Sequence, residues 1–288
     1  MTAPAVGGTG TVRRGARRRF ARTPVAVVSW ALVLAYVLLA VAGPLLVTGD
    51  PLRQSPSALL PMGSPGHLLG TDDLGRDQLV RLVHGAQPLL MVALAATALA
   101  TVVGVAIGLA AGYLEGRAEQ LLMRLTDVAL AFPSVLLIIL LVAAAGPGTS
   151  SLVVGVGIAL APGIARLMRA LAARESARDH VLASRMAGTG GLRIALTEVL
   201  PGTVGPLLVQ VLTTLSVAAG FAAGMSYLGL GIQPPTPDWG YMVQSGQEFL
   251  YTAPSLVVLP ALATLVFVVA CNFVGDDVRD ALDRKGTP

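Results

Sequence analysis

Few side chains in this sequence have the type and spacing that catalysis requires. The only lysine, Lys285, follows an arginine rather than a run of glycines, so the chain lacks the phosphate loop in which a lysine reaches the nucleotide phosphates. Residues 224–229 include Ser226, but their glycines do not have the Gly-x-Ser-x-Gly spacing of a nucleophile elbow. The single cysteine, Cys271, excludes an intrachain disulfide and a zinc site built on cysteines. The sequence argues against an enzyme and against direct ATP binding.

Histidines and acidic residues do not form a metal or proton-relay pattern either. The three histidines are scattered, at His67, His84 and His180, and no His-Glu-x-x-His occurs. Asp127 is the only acid within a long apolar stretch, and it lies near the end of that stretch. An intramembrane protease or a proton relay would need acids near the middle of the membrane. We therefore predict no catalytic, cofactor-binding or metal-binding residues in this chain.

The composition indicates that a bilayer surrounds most of this chain. Of its 288 residues, 54% are hydrophobic and 12% are charged, whereas soluble domains carry about 25% charged residues. The mean hydropathy of +0.74 agrees with this, and the 33 glycines suit closely packed membrane helices. The net charge of +4 does not indicate nucleic-acid binding, because the basic residues lie in short blocks between apolar runs.

Six stretches are apolar enough to cross a bilayer, which takes roughly 20 residues of helix with its backbone hydrogen-bonded internally. They are residues 25–47, 89–113, 121–145, 151–165, 206–228 and 255–274. The fourth stretch is the shortest, because Pro162 and Arg166 end its apolar run. The predicted fold class is therefore all-α integral membrane with six transmembrane helices.

The placement of basic residues predicts the orientation. With the amino terminus inside, 17 of the 20 basic residues fall on inner segments, which places both termini in the cytoplasm. Six of them lie in the amino-terminal arm: Arg13, Arg14, Arg17, Arg18, Arg19 and Arg22. A cleaved signal peptide over residues 1–42 is an alternative. Its apolar stretch exceeds the roughly 7–15 residues of a signal core, and cleavage would leave the termini on opposite sides.

This orientation divides the chain into three parts. They are a basic cytoplasmic arm (1–24), a six-helix transmembrane domain (25–274) and a cytoplasmic tail (275–288). The transmembrane domain contains two outer loops and one long cytoplasmic loop, at residues 48–88, 229–254 and 166–200.

Glycines spaced by four mark two of the predicted spans. They are Gly104, Gly108 and Gly112 on the second span, and Gly220 and Gly224 on the fifth. Such spacing lets helix backbones approach closely. The approach is either within this chain or against a partner subunit.

The cytoplasmic loop predicts a short amphipathic helix, a glycine break and a second helix. Ala177 with Val181 and Leu182 with Met186 form neighbouring i,i+4 pairs. The glycines that end this helix are Gly188, Gly190 and Gly191. A second apolar piece, residues 192–200, then runs to Pro201. The first helix either lies on lipid or inserts into a groove on a cytoplasmic partner.

This loop resembles that of the permease subunits of type I ABC importers, which reads Glu-Ala-Ala, then a glycine, then a hydrophobe-Leu-Pro ending. The matching residues are Ala183, Gly188, Val199, Leu200 and Pro201. The chain departs at Leu182, where the family usually has glutamate, and at Ser184, where it has alanine. The resemblance implies an ATPase-coupling loop formed by Ala183, Ser184, Arg185, Met186, Gly188, Leu200 and Pro201.

Three further segments resemble signatures of the second permease of dipeptide, oligopeptide and nickel importers. The first, residues 67–77, has Leu68 in place of the usual proline and contributes Gly70, Asp72, Asp73, Gly75, Arg76 and Asp77 as candidate outer-face residues. The second, residues 226–240, contributes Gln233, Pro234, Pro235, Asp238, Trp239 and Gly240. The third is residues 275–283 in the tail.

Simpler structural roles are also expected for these residues. The three aspartates of residues 67–77 lack the alternating ligand spacing of a calcium loop, so we expect caps and turns there. We expect residues 233–240 to form an extended, proline-stiffened loop with Trp239 and Tyr241 at the lipid headgroups. A contact with a substrate-delivering protein is the functional alternative. Asp127 should lie at the cytoplasmic interface, paired with water or Arg124.

The resemblance covers about residues 15–285 and implies a type I ABC importer permease fold in a bacterial inner membrane. It implies four kinds of partner: the bilayer, a homologous second permease, two cytoplasmic ATPases that carry ATP-Mg, and an extracytoplasmic substrate-binding protein. The expected cargo is short peptides, with nickel chelates or haem as relatives, moved by alternating access. A secondary ion-coupled transporter is the alternative, but neither a coupling-ion site nor inverted repeats are visible.

Overall fold

The computed structural model describes residues 24–113 and 116–283, and within these ranges the chain is helical with only isolated β-bridges. The arginines of the amino-terminal arm and residues 284–288 lie outside the described residues. The α-helices are α1 (Pro24–Leu46), α2 (Gln78–Tyr113), α3 (Arg117–Ala131), α4 (Ser134–Ala145), α5 (Thr149–Ser176), α6 (Asp179–Met186), α7 (Gly191–Ile194), α8 (Leu200–Tyr227), α9 (Trp239–Gly246) and α10 (Ser255–Asp283). A π-helical turn, Ala195–Val199, joins α7 to α8, and a 3₁₀ turn, Gln247–Phe249, follows α9.

Five of the described helices are long and apolar enough to span a membrane, and the third predicted span is bent. The five are α1, α2, α5, the continuous helix from α7 through α8, and α10. The predicted span of residues 121–145 is not one continuous helix, because α3 and α4 meet at 93°. Phe132 precedes Pro133 and adopts an extended backbone (φ −80°, ψ 134°), which is the conformation that a following proline favours. Counting the bent pair as one span gives six.

Several predicted boundaries are also corrected. The fourth predicted span, residues 151–165, is too short, since α5 passes through Pro162 and continues to Ser176. Membrane helices tolerate proline where neighbouring groups compensate for the lost hydrogen bond. Pro201 does not end the second helix of the loop, because the helix continues through the π-helical turn Ala195–Val199 into α8. The first outer loop ends before residue 88, because α2 begins at Gln78.

The packing centre is the pair α2 and α5, which glycines bring together. A Cβ built on Gly104 would lie 2.7 Å from Cβ of Ile164, and one on Gly108 would lie 2.4 Å from the carbonyl oxygen of Ala165. Intrachain packing is thus confirmed for the first glycine series, where backbone contact replaces large side chains. Gly220 has no other atom within 4 Å of its built Cβ among the described residues.

The helical bundle has two ends. The loop of residues 47–77 and α9 lie at one end, called here the long-loop end. The other end, called the α6 end, contains α6 and α7. The start of α1 and the last turns of α10 are joined there, where Trp30 Nε1 donates to Oδ2 of Asp277 at 3.0 Å.

Candidate functional site

The α6 end carries the candidate coupling residues on a short, sharply ended helix. The helix ends at Met186, and Gly188 then takes φ +80° in the left-handed region that favours glycine. The amide of Gly188 donates to the carbonyl of Arg185, and that of Thr189 to the carbonyl of Ser184. These two bonds form a Schellman cap. The predicted helix–glycine–helix shape is confirmed.

One face of α6 is anchored to the bundle. Val181 is fully buried and packs in a cluster with Met168, Ala172 and Ile194. The Arg185 guanidinium lies 4.8 Å from the ring centroid of Tyr113, at the end of α2, a cation–π contact. Through these contacts α6 is attached to helices α2, α5 and α7.

A buried carboxylate joins α5 to the start of α6. Glu175 is 5% exposed, and its Oε1 lies 3.1 Å from Nη1 of Arg178 and 3.9 Å from Nε2 of His180. Across from it, a Cβ at Gly202 of α8 would lie 2.4 Å from Cδ of Glu175. The absence of a side chain at position 202 therefore makes the space that this carboxylate fills. Sequence reasoning missed Glu175, because nothing in the sequence marks an acid after an apolar run as buried.

The opposite face of α6 is exposed and partly apolar. Met186 is 85% exposed and Leu182 is 42% exposed. Ala183 and Gly188 are exposed beside them, while Ser184 and Arg185 are half-buried. Of the other two candidates, Leu200 is half-buried against the Val181 cluster and Pro201 is exposed in the first turn of α8. The structure thus gathers residues 183–188 on one surface and places Leu200 beneath it.

At the long-loop end, Asp72 organises the first outer-face motif. Its Oδ1 accepts from the amides of Leu74 (3.0 Å) and Arg76 (2.9 Å). Its Oδ2 lies 2.7 Å from Nε of Arg76 and 3.4 Å from Nε of Arg81. All three charged side chains are nearly buried, at 6% for Asp72, 9% for Arg76 and 2% for Arg81. Buried charges need such pairing to offset their desolvation.

The remaining motif residues confirm the expected caps and turns. Asp77 Oδ1 accepts from the amide of Val80 at 3.0 Å and so caps α2, while its Oδ2 lies 2.7 Å from Nδ1 of His67. Gly70 and Gly75 have positive φ and touch the carbonyls of Leu60 and Ser55 so closely that no Cβ fits. Asp73 is only loosely placed, 3.9 Å from Nη2 of Arg76.

The second outer-face motif divides into an exposed and a buried part. Gln233, Pro234 and Pro235 are exposed, whereas Asp238, Trp239 and Gly240 are buried. The expected headgroup position of Trp239 is wrong, since this side chain is 1% exposed. Its Nε1 donates to the carbonyl of Leu82 at 2.8 Å, and its ring meets that of Tyr36 edge-on at 5.7 Å.

Close backbone approach explains this burial. A Cβ on Gly85 of α2 would lie 2.8 Å from Cδ1 of Trp239, and one on Gly240 would lie 2.1 Å from the carbonyl oxygen of Ala223. Two glycines therefore let α9 fold back between α2 and α8. The sequence shows both glycines, but not that they face the same indole.

Asp238 is a buried acid in the loop before α9. It is 1% exposed, and its Oδ1 accepts from the amide of Tyr241 at 3.0 Å, which caps α9. Burial raises the pKa of Asp238 to about 6, although the bond from the Tyr241 amide favours the charged form. This acid is therefore half protonated at mildly acidic pH.

Asp127 has a different partner from the one expected. It pairs with Arg166 of α5, not with Arg124, and both members of the pair are about 60% exposed. A second pair, Glu119 with Arg169, also joins α3 to α5. The first limb of the bent span is thus attached to α5 by surface ion pairs.

Comparison with known proteins gives matches over nearly the whole chain. Residues 104–287 match the family described as binding-protein-dependent transport system inner membrane component, and residues 11–61 match the N-terminal transmembrane domain of oligopeptide transport permease C. The chain is 42% identical to a di/tripeptide transport system permease protein of Pseudomonas aeruginosa, over 88% of this chain and 86% of that one. It is 39% identical to a dipeptide transport system permease protein of Escherichia coli, over 92% and 91%.

Solved structures support the fold. The inward-facing MetNI methionine ABC transporter aligns with a TM-score of 0.57 and 19% identity, over 70% of this chain and 96% of the matched one. At this identity the match speaks for the fold alone.

Proposed function

Because the chain belongs to the family of inner-membrane components of binding-protein-dependent transport systems, we propose that this ABC importer permease carries short peptides as the second member of a permease pair. Membership makes it a multi-pass protein of a bacterial inner membrane. The peptide cargo is supported by relatives named for dipeptide and di/tripeptide transport that are 34–42% identical over most of the chain. Nickel chelates and haem remain alternatives as cargo.

The observation that carries the proposal is the form of the α6 end. A short helix with an exposed apolar side, Leu182 and Met186, follows α5 after two residues and is anchored to α2 and α7. Such a helix fits a groove on another protein. Movement of α6 would be transmitted to α5, because Glu175 and the buried Val181 connect the two.

The partner at this end is an ATPase in our proposal. Two cytoplasmic ATPases bind ATP-Mg and close, α6 follows, and the permease pair changes the side to which it opens. ATP shifts this equilibrium only by the difference in its affinity for the two states. The closing of the ATPases must therefore be passed to the permease through firm contacts at α6. This chain itself hydrolyses nothing and holds no cofactor.

The opposite end receives the cargo. The exposed residues 233–236 precede α9. Hydrogen bonds of Trp239 and Asp238 hold the start of this helix in place. An extracytoplasmic substrate-binding protein would meet this surface.

The orientation follows from the basic residues. Cysteines at Ser64 and Thr236 should react with an impermeant thiol reagent from outside, whereas one at Thr189 should not. Labelling of position 189 in intact cells would contradict it.

The test is reconstitution of the full complex in proteoliposomes. Uptake of a dipeptide should require ATP and the binding protein, and the isolated chain should show no nucleotide affinity. Nickel chelate and haem, offered with the same complex, distinguish the cargo. Dipeptide uptake driven by a proton gradient without ATP would instead support a secondary carrier and overturn the proposal.

A further inference from the structure

One face of α8 differs from the lipid-like faces of the other spans. The exposed side of α1 consists of large apolar residues such as Leu34 (58%) and Val41 (69%). On α8 the residues Gln210, Thr213 and Gly220, spaced by three and seven, share a face on which none is buried. Asn272 of α10 is exposed and its Oδ1 accepts from the buried Ser216 of α8 at 3.0 Å.

These amides and hydroxyls lie within the spans and face away from the body of the chain. Thr213 Oγ1 donates to the carbonyl of Val209 and Asn272 Nδ2 to that of Val268. The Gln210 Nε2 makes one long bond, 3.4 Å to Oγ1 of Thr214, and its Oε1 accepts none within the described residues. Polar side chains inside a membrane face a water-filled cavity or a partner, since lipid cannot hydrogen-bond to them. The open amide of Gln210 therefore argues against lipid contact on this part of α8.

The groove beside this surface, rather than its glycines, favours a cavity. Gly220 and Gly224 are open, with no atom outside their own helix backbone within 4 Å of either built Cβ among the described residues, and such a glycine face also suits close packing with a partner helix. Further along α8 an open groove of ≈ 340 Å³ follows, lined by Tyr227 and Thr264 among apolar side chains. A groove of this size is in the range of small-molecule sites.

We infer that Gln210, Thr213 and Asn272 line the solute pathway of this half of the permease and bind the backbone of the passing peptide. Side-chain amides and hydroxyls offer both donors and acceptors, which match peptide groups whatever the peptide's side chains are. No charged residue belongs to this set, so the surface holds no fixed ion that would retain a charged peptide. The inference rests on the proposed peptide transport.

Water accessibility tests the pathway without depending on transport. In the assembled complex with Cys271→Ser, cysteines at Thr213 and Asn272 are treated with a small cationic thiosulfonate. Leu34→Cys is the control at matched depth. The hydrogen bond between Trp30 and Asp277 places these two residues at the same level, and Leu34 lies four residues from Trp30 while Asn272 lies five residues from Asp277. A thiol in lipid stays protonated, so modification at 213 and 272 should be at least about tenfold faster than at 34.

Equal modification rates at positions 34, 213 and 272 would overturn the inference. So would a cysteine at 213 that does not react with the reagent but cross-links to the second permease. As a second arm, Asn272→Leu should lower dipeptide kcat/KM by about three- to tenfold, with partial rescue by Asn272→Gln, whereas Leu34→Val should change nothing. If the wild-type complex carries no peptide although 213 and 272 react, the proposed cargo fails while the aqueous lining stands. If it carries peptide and these positions do not react, only the lining fails.

Discussion

The two ends of the bundle are held together by different means. At the long-loop end, a carboxylate with two arginines, a buried indole and two glycine contacts fix most of the outer-face motifs, apart from Asp73 and residues 233–236. At the α6 end, one buried valine, one cation–π contact and one acid hold a helix whose other face exposes Met186 and Leu182. Both ends expose apolar side chains, for example Leu68 (72%) at the first and Met186 (85%) at the second. The difference is that paired charges and a buried indole hold the first end, whereas few contacts hold the exposed helix at the second.

The largest expected effect is at the long-loop end. Asp72→Ala leaves Arg76 and Arg81 buried without their carboxylate, and breaking a buried ion pair in this way costs about 3–5 kcal/mol. We expect a large drop in the unfolding temperature of the detergent-solubilised complex.

Asp73→Ala is the matched control. This neighbour is 36% exposed in its side chain and 3.9 Å from Arg76, so its loss should cost less than about 1 kcal/mol. Equal effects of the two variants would show that the cluster is not the element that makes this end rigid.

The next effect depends on pH and concerns Asp238. Its pKa is raised from 3.8 to about 6 in the folded protein, so the folded state binds more protons than the unfolded state between these values. Stability should therefore fall as pH rises from about 4 to about 6 and stay level above. Asp238→Asn keeps an oxygen to cap α9 but cannot ionise, and should be more stable than wild type at pH 7 by up to about 3 kcal/mol.

Unfolding temperatures of the two proteins measured between pH 4 and pH 7 check this. The difference between them should be small at pH 4 and grow until about pH 6. Asp73→Asn is the control, because that side chain is partly exposed. A difference that stays constant over this range would contradict the buried, proton-binding environment of Asp238.

Sequence reasoning succeeded where the local pattern alone decides the structure. The apolar stretches predicted helices, the aspartates of residues 67–77 predicted caps and turns, and Gly188 predicted the end of α6. Each of these depends on residues close in the sequence, such as a glycine that accepts the left-handed region.

It failed where distant segments meet. Trp239 was expected at the headgroups because tryptophan is common there, and only the fold shows that Gly85 leaves room for it in the bundle. The burial of Arg81 likewise depends on Asp72 across a loop. The bend at Pro133 has a local cause, but proline alone does not predict it, since α5 passes through Pro162 without ending.

The third prediction concerns Gly188 at the α6 end. Arginine at this position must adopt φ +80°, which costs on the order of 1 kcal/mol, and places a charge beside the exposed face of α6. Membrane insertion and the unfolding temperature should change little. Peptide uptake should fall steeply, and ATP hydrolysis should lose its stimulation by the loaded binding protein.

Gly190→Arg is the control that separates the effect of the backbone conformation at residue 188 from the effect of the added charge. Gly190 has φ −63°, an ordinary value for any residue, and no atom lies within 4 Å of its built Cβ among the described residues. Normal stimulation in Gly188→Arg would reject the coupling role of this loop, because a helix lying on lipid tolerates arginine at the membrane surface.

The smallest effect on stability is expected at Met186, and it tests the comparison most directly. Because this side chain is 85% exposed, Met186→Ser should change the unfolding free energy of the chain by less than about 0.5 kcal/mol. If a partner covers the surface, the same change removes apolar area from the contact, where a buried methionine contributes about 1.5–3 kcal/mol. Binding of the ATPase should weaken by roughly tenfold or more, measured by titrating ATPase onto the permease pair. The exposed Leu34 of α1 serves as the control, since Leu34→Ser should not alter ATPase affinity. Unchanged ATPase affinity in Met186→Ser would mean that the exposed face of α6 is not the contact.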